Sequence, residues 1–243
     1  MVAKLFRDVF NCICRKLYEV METKASMDNR IKTAFIFTGV CCLVLVESLL
    51  ANMQAIAAIA KIAASCGFLA VAFFGGAGQS RYGKILLIGL ALSFFGDAFL
   101  IGNSRHAFLA GLSAFLLAHV AYITAFAVKG VSVRWMGLSA LPVIACAVAV
   151  STWLAPHTPP ELLLPVRLYT AVISGMLIAA IGTRGKGGSV LIVVGAFLFF
   201  LSDLSVASLR LTQTDFPHYV CGLPLYYAGQ LCLALSVSQS RSH

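Results

Sequence analysis

Beyond residue 31 the chain alternates long uncharged stretches with short polar breaks. A helix rises 1.5 Å per residue, so about 20 apolar residues cross a hydrocarbon core of roughly 30 Å. Segments 32–51, 55–75, 84–102, 107–128, 135–154, 162–181, 189–209 and 219–237 meet that length. The pattern predicts an all-α fold, a polytopic membrane helix bundle of about eight transmembrane helices over 32–238, with a short tail at 239–243. Residues 1–31 follow a different pattern. Phe6, Val9, Phe10, Ile13, Leu17, Val20 and Met21 recur at helical spacing, with Arg7, Asp8, Arg15, Lys16 and Glu22 elsewhere around the turn. That spacing predicts an N-terminal amphipathic helix lying on the cytoplasmic surface of the membrane. It does not read as a signal peptide, because charges interrupt any apolar run and no small-residue cleavage site follows.

Composition agrees with the pattern: 60% of residues are hydrophobic, 11% are charged and the mean hydropathy is +0.93. Such a chain has lipid as its solvent, and the spans leave no room for a separate soluble domain. The net charge of +9 could suggest nucleic acid, but its distribution argues against such a partner. Lys4, Arg7, Arg15, Lys16, Lys24, Arg30 and Lys32 crowd the N-terminal segment, and Arg81, Lys84, Lys129, Arg134, Arg184 and Lys186 occupy alternate loops. Only Arg105 and Arg210 mark the opposite side. By the positive-inside rule both termini are expected to be cytoplasmic.

Within the spans stand Glu47, Lys61, Asp97, His119, Arg167 and Asp203, with Tyr122, Tyr169, Tyr226 and Gln230 as neutral polar groups. An unpaired charge at mid-membrane costs roughly 2.5–3.5 kcal/mol on insertion scales, so these groups are expected to face one another or water. The alternating topology puts Glu47, Lys61, Asp97, Arg167 and Asp203 within about 10 Å of the non-cytoplasmic boundary, a layer of acids and bases that can nearly neutralise itself. Lys61 and Arg167 are long enough to snorkel, and Glu47 reads as interfacial. Asp97 and Asp203 are too short to escape. Gly89, Ser93 and Gly96 precede Asp97 at helical spacing, and Gly195 and Ser202 accompany Asp203; such small-residue stripes turn both aspartates toward neighbouring helices. Gly111, Phe115, His119 and Tyr122 share one face of the fourth span, and Tyr226 and Gln230 lie one turn apart on the eighth.

Other motifs fall away. GTRGKGGS, residues 182–189, lacks the spacing of a phosphate-binding loop and follows an apolar helix. The eight cysteines form no CxxC pair, and with His119 the only histidine deep in a span no metal site is expected. Cys12 and Cys14 could accept palmitate.

GDAFLI (96–101), the following Phe108, Gly111, Phe115, His119 and Tyr122, GAFLFFLSDL (195–204) and YYAGQ (226–230) resemble, in order and spacing, the motifs of the YhhN-like lysoplasmalogenase family. The resemblance runs from about Lys61 to Ser238. It implies a multi-pass hydrolase that cleaves the vinyl ether of lysoplasmalogens to a fatty aldehyde and a glycerophospho-base, without a cofactor. It also implies the endoplasmic reticulum membrane if the source is eukaryotic, or an inner membrane if bacterial. The family's polar positions match Lys61, Asp97, His119, Tyr122, Tyr169, Asp203, Tyr226 and Gln230; where the family often has proline after the lysine, this chain has Ile62-Ala63.

The chemistry fits that inventory. Protonation of a vinyl ether's β-carbon gives an oxocarbenium ion, water adds, and the hemiacetal collapses. A protonated carboxyl and an ionised carboxylate are needed. Asp97 and Asp203 are the expected acid/base pair, with either order open. His119, Tyr122, Tyr169, Tyr226 and Gln230 are expected to orient substrate and water, and Lys61 to tune a carboxylate or meet the phosphate. The bilayer, the lysophospholipid substrate and water are the expected partners. A transporter or proton-coupled carrier using the same charged layer is the alternative.

Overall fold

The structure, a computed structural model, describes residues 28–102, 104–211 and 219–239. The predicted amphipathic helix and both N-terminal cysteines lie outside the described residues. Among the described residues eight helices are long and apolar enough to cross a membrane. They are α1 (Asn29–Leu50), α2 (Gln54–Phe74), α3 (Arg81–Phe99), α4 (Arg105–Lys129), α5 (Val133–Leu154), α6 (Pro160–Arg184), α7 (Val190–Leu211) and α8 (Tyr219–Gln239). Each predicted span falls on one of them. The chain is thus a multi-pass integral membrane protein.

Local chemistry sets the boundaries. The side chains of Asp28, Ser80 and Ser104 accept backbone N–H groups at the starts of α1, α3 and α4, satisfying donors that have no partner within the helix. Pro160 opens α6, where its missing N–H costs nothing. The three-residue turn between α1 and α2 depends on Asn52 at φ 57°, a left-handed conformation that asparagine tolerates better than most residues. Gly130, at φ 102°, ends α4.

Hairpin neighbours α1/α2, α3/α4 and α7/α8 pack along their lengths, and α8 runs through the middle, touching α1, α2, α3 and α7. In its central window 83% of α8 residues are buried, against 11% for α5, which leans on α6 and only lightly on α7. The small-residue stripes work as predicted. A Cβ on Gly96 would lie 2.7 Å from the Phe115 ring, and one on Gly89 would lie 2.5 Å from Tyr122, so α3 and α4 meet at ring-to-backbone contact. Gly195 and Gly229 allow α7 and α8 the same approach: a Cβ on either would come within 2.9 Å of the other's carbonyl oxygen. These approaches fix the rotation of α3, α4, α7 and α8, and with it the direction of their polar side chains.

Candidate active site

Lys61, on the second turn of α2, reaches across to α3, where its Nζ lies 3.5 Å from Oδ1 of Asp97. The other oxygen, Oδ2, accepts two hydroxyls, each at 2.7 Å: Tyr226 from α8 and Ser65 from α2. Ser65 also lies 3.0 Å from the Lys61 carbonyl oxygen, and Tyr227 donates to that carbonyl at 3.2 Å. Asp97 is only 2% exposed, so these donors replace the water it gives up. Both of its oxygens are engaged.

Asp203 on α7 is held differently. Tyr169 from α6 donates to its Oδ2 at 2.7 Å, and His119 Nε2 from α4 lies 3.0 Å from the same oxygen. His119 is fully buried and, among the described residues, its Nδ1 has no hydrogen-bond partner. A buried N–H without a partner is rarer and costlier than a bare lone pair, which places the imidazole hydrogen on Nε2, pointing at Asp203. The ring of Phe199 joins the two centres, stacking edge-on against His119 at 4.7 Å and against Tyr226 at 5.3 Å between centroids.

Both aspartates open onto one cavity of about 310 Å³, whose polar lining includes Lys61, Asp97, Tyr169, Asp203 and Tyr226. The rest of the wall is mostly apolar: Leu112, Val150, Leu154, Leu162, Val166 and Leu204 are representative. Each of the eight described helices contributes. The odd-numbered helices supply C-terminal residues and the even-numbered ones residues from their N-terminal halves, so the antiparallel bundle gathers the cavity at one end.

Five of the eight expected residues therefore share the cavity wall. His119 stands behind Asp203. Tyr122 and Gln230 lie deeper: Tyr122 donates to Gln230 Oε1 at 2.8 Å and lies 3.2 Å from the Ser93 hydroxyl, and neither residue reaches the cavity. Glu47 and Arg167 are exposed on the outside of the bundle. Ser65 and Tyr227 are additions that sequence reasoning missed. Ser65 stands one turn after Lys61, the single hint of its position.

A family model described as the YhhN family matches residues 56–237. The chain belongs to the YhhN family. Among curated relatives, lysoplasmalogenase TMEM86B of Homo sapiens is 33% identical over 200 residues, covering 82% of this chain and 81% of the relative. Lysoplasmalogenase TMEM86B of Sus scrofa is 34% identical over 71% of this chain and 70% of its own length. Lysoplasmalogenase TMEM86A of Bos taurus is 30% identical over 64% of this chain and 66% of its own. No solved structure matches this YhhN-family chain. The family match takes in both aspartates, all their hydroxyl and imidazole partners, and Lys61.

Proposed function

We propose that this protein is a membrane lysoplasmalogenase, hydrolysing the vinyl ether bond of an alkenyl lysophospholipid to a fatty aldehyde and a glycerophospho-base. The observation that carries the reading is two carboxylates, held by different donor sets, on the wall of one largely apolar cavity. Family membership and relatives named lysoplasmalogenase supply the substrate class.

The donor sets support an order for the pair. Asp97 has both oxygens committed to Lys61, Tyr226 and Ser65, a cation and two hydroxyls that favour its charged form and suit it to face a developing cation. The bonds from Tyr169 and His119 share Oδ2 of Asp203, so its Oδ1 is the oxygen to carry a proton toward the cavity. Asp203 gives that proton to the β-carbon of the vinyl ether, and the double-bond electrons form the new C–H bond. Asp97 stabilises the oxocarbenium ion. Asp203, now ionised, takes a proton from the water that attacks the carbocation carbon. The resulting hemiacetal breaks its bond to the glycerol oxygen, which takes the proton from Asp203, while the hemiacetal hydroxyl gives its own proton back to that carboxylate as the aldehyde forms. Tyr169, Tyr226 and His119 hold the carboxylates in place, and the alkenyl chain occupies the apolar wall. With both termini cytoplasmic, the cavity lies toward the non-cytoplasmic leaflet.

The test is aldehyde release by purified protein in detergent from lysoplasmenylethanolamine and lysoplasmenylcholine. Labelled water should place its oxygen in the aldehyde, and heavy water a single deuterium on the adjacent carbon. Folded protein that releases no aldehyde in detergent would overturn the reading, and movement of solute across sealed vesicles would then point to a carrier.

A further inference from the structure

Lys61 is committed to Asp97, so the phosphate of a lysophospholipid needs another cation. Arg105, the first residue of α4, places its Nη2 3.7 Å from Oε2 of Glu161 in the first turn of α6. The pair bridges the two helices at the end of the bundle where the cavity lies. Phe108 and Leu112 on α4, with Leu162 and Val166 on α6, line the cavity in the turns that follow. Both side chains are about two-thirds exposed, 67% and 68%. An ion pair that wet contributes little to the fold, so exchanging partners costs little.

We infer that Arg105 and Glu161 form a subsite for a zwitterionic headgroup, Arg105 taking the phosphate and Glu161 the terminal ammonium. The ligand class is a single-chain phospholipid carrying ethanolamine or choline. Its two charges would replace the existing pair charge for charge. Arginine suits the phosphate because its planar fork donates to two oxygens at once. The N-terminus of α4, beside Arg105, adds a favourable field for an anion. Depth also fits. Glu161 precedes Tyr169, the partner of Asp203, by eight residues, about 12 Å of helix. A glycerol, a phosphate and an ethanolamine laid end to end bridge such a gap, with the ether oxygen at the carboxylates and the ammonium at the mouth.

The inference rests on the lysoplasmalogenase reading, and the experiment separates the two. Wild type, Arg105→Gln, Glu161→Gln and the exchanged Arg105→Glu/Glu161→Arg are reconstituted in nanodiscs. Steady-state kinetics are measured on lysoplasmenylethanolamine and on the same alkenyl glycerol phosphate without ethanolamine. Saturated 1-alkyl analogues of both, which have no vinyl ether to cleave, give Kd. Glu161→Gln should raise KM and Kd about threefold to tenfold for the ethanolamine compounds and leave the bare phosphates bound at least as tightly as by wild type. Arg105→Gln should weaken both classes, with kcat within about twofold of wild type throughout. The exchanged pair should bind the ethanolamine analogue no better than the single variants. Unchanged Kd in both single variants, or a Glu161→Gln effect equal on the two headgroups, would overturn the subsite. If wild type turns over neither substrate while the Kd pattern holds, the subsite stands and the hydrolase reading falls.

Discussion

Lys61 and Asp97 meet at 3.5 Å across α2 and α3, with 15% of the lysine side chain and 3% of the aspartate side chain exposed. Breaking one partner of such a pair leaves the other charge without compensation in a low-dielectric setting, which is worse than removing both. Lys61→Met should therefore lower stability by about 3 kcal/mol or more, and Lys61→Met/Asp97→Asn should recover most of that loss. Thermal unfolding in a fixed detergent reads the cycle. Equal losses for the single and double variants would mean that the pair contributes nothing specific.

Asp203→Asn keeps the shape of the side chain and removes the proton that the proposed mechanism uses. Its kcat should fall by at least about 100-fold with the unfolding temperature little changed. Near-normal aldehyde release from this variant would remove Asp203 from the chemistry.

Tyr169 touches Asp203 through one hydroxyl, 2.7 Å from Oδ2. Tyr169→Phe deletes that hydrogen bond, along with the hydroxyl's 3.0 Å contact with His119 Nε2, and keeps the ring, which packs edge-on against His119. A loss of about tenfold in kcat is expected, the effect of one hydrogen bond to a charged group. The matched change at Tyr122, Tyr122→Phe, removes a bond to Gln230 behind the wall and should alter stability more than kcat.

Gly96 has no room for a methyl group: its Cβ would lie 2.7 Å from the ring of Phe115, itself part of the cavity wall. Gly96→Ala should cost about 1–3 kcal/mol and raise KM as the ring is pushed toward the substrate. Gly137 on α5 has nothing within 4 Å of a Cβ position, so Gly137→Ala is the control and should leave both quantities unchanged.

The eight spans were legible because membrane thickness imposes a length on every helix, and length survives in a linear pattern. Depth was legible for the same reason. Asp97, Asp203 and Lys61 could be placed in one layer by counting residues from the loops. Azimuth was not. Periodicity groups Tyr122 with His119 on one face of α4, yet the structure sends His119 to Asp203 and pairs Tyr122 with Gln230. Which residue meets which depends on the rotation of each helix against its neighbours, set by contacts such as Gly96 on Phe115. Ser65 was hidden for a different reason. A serine in an apolar helix usually bonds its own preceding turn, and Ser65 lies within reach of the Lys61 carbonyl as well as of Asp97.

Because each of the eight described helices supplies part of the cavity wall, the site is complete only when all eight are in place. Tyr226, one of the two hydroxyl donors to Asp97, stands on α8, which follows α1 to α7 along the chain and fills the middle of the bundle. A nascent chain with α1 to α7 inserted would carry both aspartates into the bilayer with Asp97 lacking its tyrosine. Insertion of α8 is then the step that gives Asp97 its full described set of donors.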